Sequence, residues 1–535
     1  MGIPSFFSHI VRNHIEIIQK LQKRKIDNLY LDCNSIIYDV YSKIIASEPS
    51  DLNETITLSI IKSVCAKIEY YIQLIQPSGK VMIAFDGVAP VAKLDQQRSR
   101  RYKTSYQNQL SKQIFKKVEE DPWNTSAITP GTTFMKDLND YVNKHFRDSS
   151  FKVDIIISTS DICGEGEHKI FEYIRNNAEA HKSETTVIYG LDADLIILSI
   201  NHLPICNQIY LFRETPHFIQ SINAELEPNA NYLLDIPLLS IKVLQYMNNE
   251  SISNIQQKHD KTHDYIFLSF LLGNDFLPHF PAVNIRTGGI DKLLDVYRET
   301  IGKTQDVLTD GKKVYWNNVR KFINGLAVQE ESYLKTEYKL RDKKEKMYYP
   351  TSSPEQMLKK LDSIPTYERE LEKYINPFKE YWQSRYYRSL FNITDDAEAQ
   401  IKKVCINYLE GLEWTLKYYT TDCPDWRWRY EYQYPPLLTD LMKYIPVFET
   451  SLIDFKIANP VSSLVQLCYV LPHSSLSLLP KQLYSKLLLL HRNWYRSDCE
   501  FKWAFCKYFW ESHVEMDEIN ISELEKFVQD NRYLL

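Results

Sequence analysis

The run Val187-Ile188-Tyr189-Gly190-Leu191-Asp192 is β-branched and aromatic until a glycine breaks it, and it closes on a carboxylate. Three other segments are short apolar runs of the same kind, Asn28–Asp32 (NLYLD), Val81–Asp86 (VMIAFD) and Val153–Thr159 (VDIIIST), the first two also closing on a carboxylate. Short apolar runs that stop at polar turns predict buried strands. Between them lie stretches such as Thr57–Ile75, whose apolar residues recur at helical spacing. The alternation predicts an α/β unit, a mostly parallel central sheet flanked by helices, with its functional groups at the carboxyl ends of the strands.

This pattern holds to about Tyr297 and then gives way. We therefore expect an α/β domain over 1–300, a charged linker or helical segment over 301–375, and a mainly helical, aromatic-rich region over 376–535. The charge run Arg341–Lys346 (RDKKEK) reads as a solvated helix face or linker. A length of 535 residues agrees with more than one unit, since single cores stop growing near roughly 250–300 residues. Hydrophobic residues at 44% and charged residues at 25% exclude wholesale disorder. The net charge of -5 excludes a broadly basic nucleic-acid binder but leaves room for a local basic patch. Nine cysteines, an odd number with no C-x-x-C spacing, point to neither a disulfide framework nor a zinc ribbon. No apolar run reaches the roughly 20 residues that span a bilayer, and the start has no signal-peptide pattern. An intracellular, cytoplasmic protein with no membrane partner, acting as a monomer, is expected.

Several carboxylates fall where such a sheet would gather them. Asp32 ends the first strand, Asp86 the second, and Asp192 and Asp194 follow the fourth. Glu165 and Glu167 lie in Gly-Glu-Gly-Glu-His-Lys-Ile, a turn entering an amphipathic helix, and Asp275 interrupts the apolar Leu-Leu-Gly-Asn-Asp-Phe-Leu-Pro. A lone Asp at a strand end is ordinarily a cap or turn residue. Seven acids on one rim repel one another unless divalent cations neutralise them. Oxygen ligands without a Cys or His cluster favour Mg²⁺, with Mn²⁺ as the substitute, and two such ions suit phosphoryl transfer.

Directly after Asp86 comes a basic segment in which Lys93, Gln97, Arg100 and Arg101 are neighbours at helical spacing. An isolated run of this kind is usually a solvated face. Beside an acidic rim, paired arginines and a glutamine suit capture of a terminal phosphate.

Taken in order, these segments resemble the XRN-type 5′→3′ exoribonucleases. The resemblance rests on Met1–Pro4 (MGIP), Tyr30–Asn34 (YLDCN), Ala84–Pro90 (AFDGVAP), Gln96–Arg101 (QQRSRR), Ile128–Thr132 (ITPGT), Gly164–Lys169 (GEGEHK), Gly190–Asp194 (GLDAD) and Leu272–Phe276 (LGNDF). Cys423–Trp428 (CPDWRW) and Tyr434–Pro436 extend it into the second half. It implies a PIN/flap-nuclease-like fold and a processive, Mg²⁺-dependent enzyme that degrades single-stranded RNA bearing a 5′-monophosphate to 5′-mononucleotides, as in decay of decapped messages. It further implies that Asp32, Asp86, Glu165, Glu167, Asp192, Asp194 and Asp275 are the metal-binding carboxylates, and that Lys93, Gln97, Arg100 and Arg101 hold the 5′-phosphate. The family's base-stacking His corresponds to Tyr38 here, and Trp426 or Trp428 is the opposing ring. Asp95 and Cys163 depart from the pattern, where Asn and Pro are expected, and Asp95 is expected to weaken the phosphate pocket. The chain is short for the family and reads as its nuclease regions alone. The alternatives are a structure-specific 5′ flap DNA nuclease and a catalytically inactive RNA-binding scaffold; the basic segment and aromatic second region speak against the first, and the presence of all seven acids against the second.

Overall fold

The computed structural model describes residues 2–21, 24–46, 55–116, 123–147, 151–214, 226–227, 230–248 and 255–534. Met1 of the amino-terminal motif lies outside them. The first half carries strands β1 (Ile18–Lys20), β2 (Asn28–Asp32), β3 (Lys80–Ala84), β4 (Asp154–Ser158), β5 (Thr185–Tyr189), β6 (Gln208–Glu214) and β7 (Asn231–Asp235). They form one sheet in the order β1-β7-β6-β5-β2-β3-β4. The five strands from β6 to β4 run parallel, and β7 and β1 close the other edge antiparallel. The four expected strands are thus β2 to β5, at the centre and one edge of a mostly parallel sheet.

Strand β2 is buried along its whole length because helices cover both faces. Leu29 and Leu31 point into a cluster formed with helices Asn34–Ala46, Thr55–Ile75 and Thr133–Arg147. Tyr30, between them, points into the opposite cluster with helices Gly166–Asn176 and Asp194–His202. The chain runs from β2 to β3 on one side and later returns to β5 on the other, so β2 marks the point where strand order reverses. The register pairs Asp32 with Ala84, and Ala84 with Ser158, which brings the carboxyl ends of three strands level.

The second half is mainly helical, as its sequence suggests. The 30-residue helix Trp316–Glu345 buries Trp316, Val319, Phe322, Ile323 and Leu326. These belong to the same apolar cluster as Tyr30 and Ile188 of the sheet, and this cluster runs on to Phe505. The run Arg341–Lys346 ends that helix, and Arg341 differs from the solvated reading: it is buried and pairs with Glu372 at 2.6 Å. A buried guanidinium needs such a partner. All nine cysteines are free thiols. Among the described residues, no helix is long and apolar enough to cross a membrane.

Candidate active site

The carboxyl ends of β2 and β3 supply the first two acids. Asp32 is the last residue of β2 and is buried. Asp86 lies just past β3 and is fixed by its neighbours: one oxygen accepts from the Asn34 amide at 2.6 Å, the other from the Gly166 N–H at 2.7 Å. The turn before helix Gly166–Asn176 adds two more. Glu165 is the N-cap and Glu167 lies in the first turn, where the helix dipole favours negative charge. One ligand oxygen each from Asp32, Asp86 and Glu167 lies within 4.8 Å of the other two.

Glu165 adjoins that trio, with an oxygen within 4.8 Å of one of Glu167. Its Oε2 meets the Lys93 ammonium at 2.6 Å, and the same ammonium meets Asp275 at 2.7 Å. Tyr418, from the helix Ala397–Thr420, donates its hydroxyl to Glu165 Oε1 at 2.8 Å. Asp194 begins the helix Asp194–His202 and lies against the amino-terminal segment, where a Cβ on Gly2 would fall 1.9 Å from its Oδ1. Only glycine tolerates that approach.

The electrostatics bind the seven acids into one set. Burial pushes Asp32 well above the ordinary carboxylate range, and the charges of Asp86, Asp192 and Glu165 push it further. Burial and then Glu165 raise Asp86 and Glu167 in the same way. Asp194 is pushed up to about 7 by burial and by Asp275. Burial works to raise Asp275 too, but the Lys93 ammonium together with other nearby positive charges, Arg100 among them, holds Asp275 well below its usual value. Carboxylates crowded this way ionise together only when cations enter. The donor set fits that requirement. Asp32, Asp86 and Glu167 offer oxygens close enough to share an ion, and the Oδ1 atoms of Asp32 and Asp194 are buried without a hydrogen-bond partner among the described residues.

The basic segment forms the 25-residue helix Val91–Phe115, and its residues divide. Lys93 does not stand in an open basic pocket; the two carboxylates hold it inside the acidic centre. Gln97 and Arg101 carry buried polar atoms, Gln97 Oε1 and Arg101 Nη1, with no partner among the described residues. Burial lowers Arg101 to about 10, partly offset by Tyr38 nearby. Arg100 has no ion-pair partner among the described residues and borders a cleft. Asp95, two residues from Lys93, has its own partners: Arg429 lies 3.5 Å away and the Tyr469 hydroxyl donates to it. It lines the same cleft as Arg100.

Tyr38 is 41% exposed on helix Asn34–Ala46, one turn beyond Asn34. Trp426 is half-buried, and its carbonyl accepts from the Val91 N–H at 3.0 Å, at the start of the basic helix. Trp428 is buried and stacked on Trp414 with ring centroids 5.2 Å apart. Sequence reading missed Tyr418, and also His168, whose ring stacks on Tyr418 at 3.8 Å and can join Glu165 and Glu167 around an ion. His168 stands inside the Gly164–Lys169 motif. Tyr418 carries no local signal and is recognised only once the fold brings it to Glu165.

Asp32, Asp86 and Glu167 at the carboxyl end of the sheet, with Glu165 and Asp275 joined through Lys93, form an acidic cluster with oxygens close enough to share an ion. The chain belongs to the XRN 5′-3′ exonuclease family: the family's amino-terminal exonuclease region matches residues 1–215, and the Xrn1 helical domain matches 257–366 and 351–493. Its relatives include the protein named 5′-3′ exoribonuclease 1 from Saccharomyces cerevisiae, 27% identical over 90% of this chain and 40% of that protein. The Schizosaccharomyces pombe protein of the same name is 28% identical, over 90% of this chain and 44% of the relative. The Drosophila melanogaster 5′-3′ exoribonuclease 2 homolog is 25% identical, over 91% and 66%. The chain thus spans 40% to 66% of the length of these relatives.

Proposed function

We propose that the protein is a 5′→3′ exoribonuclease that hydrolyses 5′-monophosphorylated RNA processively to 5′-mononucleotides. The observation that carries this reading is the gathering of Asp32, Asp86, Glu165 and Glu167, with Asp275 joined through Lys93, beside the basic helix Val91–Phe115. Asp32, Asp86 and Glu167 would hold one divalent cation, with Glu165, Asp192, Asp194 and Asp275 completing a second position; Mg²⁺ fits the all-oxygen set and Mn²⁺ can replace it. Such ions, when bound, supply Lewis acidity for water activation and neutralise charge on the phosphodiester oxygens.

The protein's own groups do the rest. Gln97, Arg100 and Arg101 grip the terminal 5′-phosphate with neutral and bidentate donors. Lys93, held between Glu165 and Asp275, fixes the spacing between that grip and the acids. Tyr38 and Trp426 provide ring faces for the leading bases, at roughly 1–3 kcal/mol per base and without sequence preference. A pocket that needs a free phosphate admits an end and not an internal stretch. After each cut the new 5′-phosphate enters the same grip, which gives processivity. In this division residues 1–300 carry the chemistry, while 376–535 cover it and contribute Trp426 and Tyr418.

The test compares RNAs with 5′-hydroxyl, monophosphate, triphosphate and cap, together with 5′-phosphorylated DNA, in Mg²⁺. Monophosphorylated RNA is expected to be consumed fastest, with mononucleotides as the only early product, and Asp192→Ala is expected to abolish cleavage. Equal rates on all 5′ ends would overturn the phosphate grip, and undiminished cleavage by Asp192→Ala the metal assignment.

A further inference from the structure

The face of the basic helix that carries Gln96, Ser99, Arg100 and Lys103 borders a cleft of about 730 Å³, within the size range of small-ligand pockets. One end reaches Asp275 of the acidic centre. The other wall comes from the segment around Trp510–Ile519, beyond the last residue, 493, of the matched helical domain.

The polar atoms of this cleft are unsatisfied in a definite pattern. The Asn274 amide oxygen accepts from the Phe276 and Leu277 N–H groups, 2.9 Å each. That fixes the orientation of the amide and leaves its NH₂ group buried with no partner among the described residues. The Gln96 carbonyl oxygen, His279 Nε2 and the Ser512 hydroxyl are buried and unpartnered in the same sense, and Ser512 is only 1% exposed. Each such group costs roughly 1–3 kcal/mol if it stays unbonded. Several on one cleft mark a place where a polar ligand supplies the missing bonds.

The charges favour an anion. Asp275 is paired with Lys93, Glu511 with Arg286 at 2.5 Å, and Asp95 and Glu518 with Arg429. Glu431 stands on the exposed rim. Arg100 and Lys103 have no carboxylate partner among the described residues. The Lys103 ammonium donates to the carbonyls of Trp510 and Ser512, both at 2.8 Å, and so keeps one N–H for a ligand. Trp510 lines the same cleft and is 37% exposed, with part of its ring surface open.

We infer that this cleft binds a ribonucleoside 5′-monophosphate. Its phosphate lies toward Arg100 and Lys103, its base against Trp510, and its base edge and ribose hydroxyls meet Asn274, Gln96, His279 and Ser512. The role of the site rests on the proposed exonuclease reading: each cut releases such a nucleotide. Asp275 and Arg100 border both sites, so the cleft gives the product a way out that does not cross the incoming strand.

Equilibrium dialysis of the full chain against radiolabelled AMP, in EDTA so that no cation bridges it to the acids, tests this. Saturable one-site binding is expected, weakened about tenfold or more by Trp510→Ala and retained by Trp510→Phe. The Phe variant guards against a folding defect. Asp192→Ala is expected to bind as the wild type does. Absence of saturable binding, as for a cleft filled by water alone, would overturn the inference. So would competition by inorganic phosphate as strong as that by unlabelled AMP, or a loss on Gln97→Ala with none on Trp510→Ala. If RNA cleavage fails while Trp510-dependent AMP binding persists, the exonuclease reading and the exit role fall and the nucleotide site stands.

Discussion

The Tyr418 hydroxyl links the helical half of the molecule to its acidic cluster. Tyr418 donates to Glu165 while its ring is stacked between His168, at 3.8 Å, and Trp414, at 4.8 Å. Burial, and then the neighbouring Glu165, hold the phenol well above its ordinary pKa, so it remains a donor. Groups that orient metal ligands typically carry 10–100-fold in metal affinity or activity. Tyr418→Phe keeps both ring stacks and removes only the donor. Its Mn²⁺ affinity, measured by calorimetry, is expected to fall by about that factor, with a melting temperature close to wild type. A variant that binds Mn²⁺ as tightly as wild type would reduce Tyr418 to packing. Six of the acids could be picked out from sequence because they lie at or just past a strand end or at a helix start, and such positions follow from local pattern; Asp275, in the loop after Phe270–Leu272, could be picked out by the apolar sequence around it. Tyr418 could not, because nothing within the Ala397–Thr420 helix distinguishes it from Tyr408 or Tyr419, which are equally buried.

Among the elements, the helix Gly166–Asn176 is positioned by what its first residue lacks. A Cβ on Gly166 would fall 2.6 Å from Asp32 Oδ1 and 3.4 Å from the Ala84 carbonyl. Gly166 therefore serves close approach, and an alanine there would otherwise favour the helix. Gly166→Ala is expected to leave the fold intact while displacing Asp32 and separating it from Asp86 and Glu167. Mn²⁺ affinity and RNA cleavage should fall together, by about tenfold or more, with circular dichroism unchanged; wild-type cleavage by this variant would show that the close approach is dispensable. The basic helix shows what helical spacing can and cannot tell. Spacing put Lys93, Gln97, Arg100 and Arg101 on one side; it could not show that Lys93 pairs with Glu165 and Asp275, that Arg101 lies near Tyr38, or that Arg100 also borders the cleft. The same spacing already placed Asp95 opposite Lys93, but its partner Arg429 lies 334 residues away and could not be foreseen.

At the scale of the whole molecule, the expected boundaries near 300 and 375 cross one apolar cluster that joins the sheet, the helix Trp316–Glu345 and Phe505. A shared core couples the regions thermodynamically, so urea is expected to unfold the chain in one transition. Its pH dependence follows from histidines kept neutral inside. Burial lowers His202 and His513 to about 3 and His279 to about 4. His202 is fixed in that form, with Nδ1 at 2.7 Å from the Leu198 carbonyl and Nε2 at 3.0 Å from Arg175. A proton on Nε2 would face the guanidinium. The unfolded chain binds these protons near pH 6.5 and the folded chain does not. The stability from neutral histidines is therefore fully present above about pH 6.5 and is lost as the pH falls toward 4. Asp264 and Glu330, raised to about 7 by burial, act in the opposite sense, contributing most at low pH and losing it as the pH rises through 7. The net slope mixes both sets, but a single substitution isolates one proton. Under Mg²⁺, His202→Gln is expected to lower the slope of unfolding free energy against pH, between pH 5 and 6, by up to about 1.4 kcal/mol per unit. An unchanged slope would mean that His202 is protonated in the folded chain, and two separate urea transitions would mean that the cluster does not act as one core.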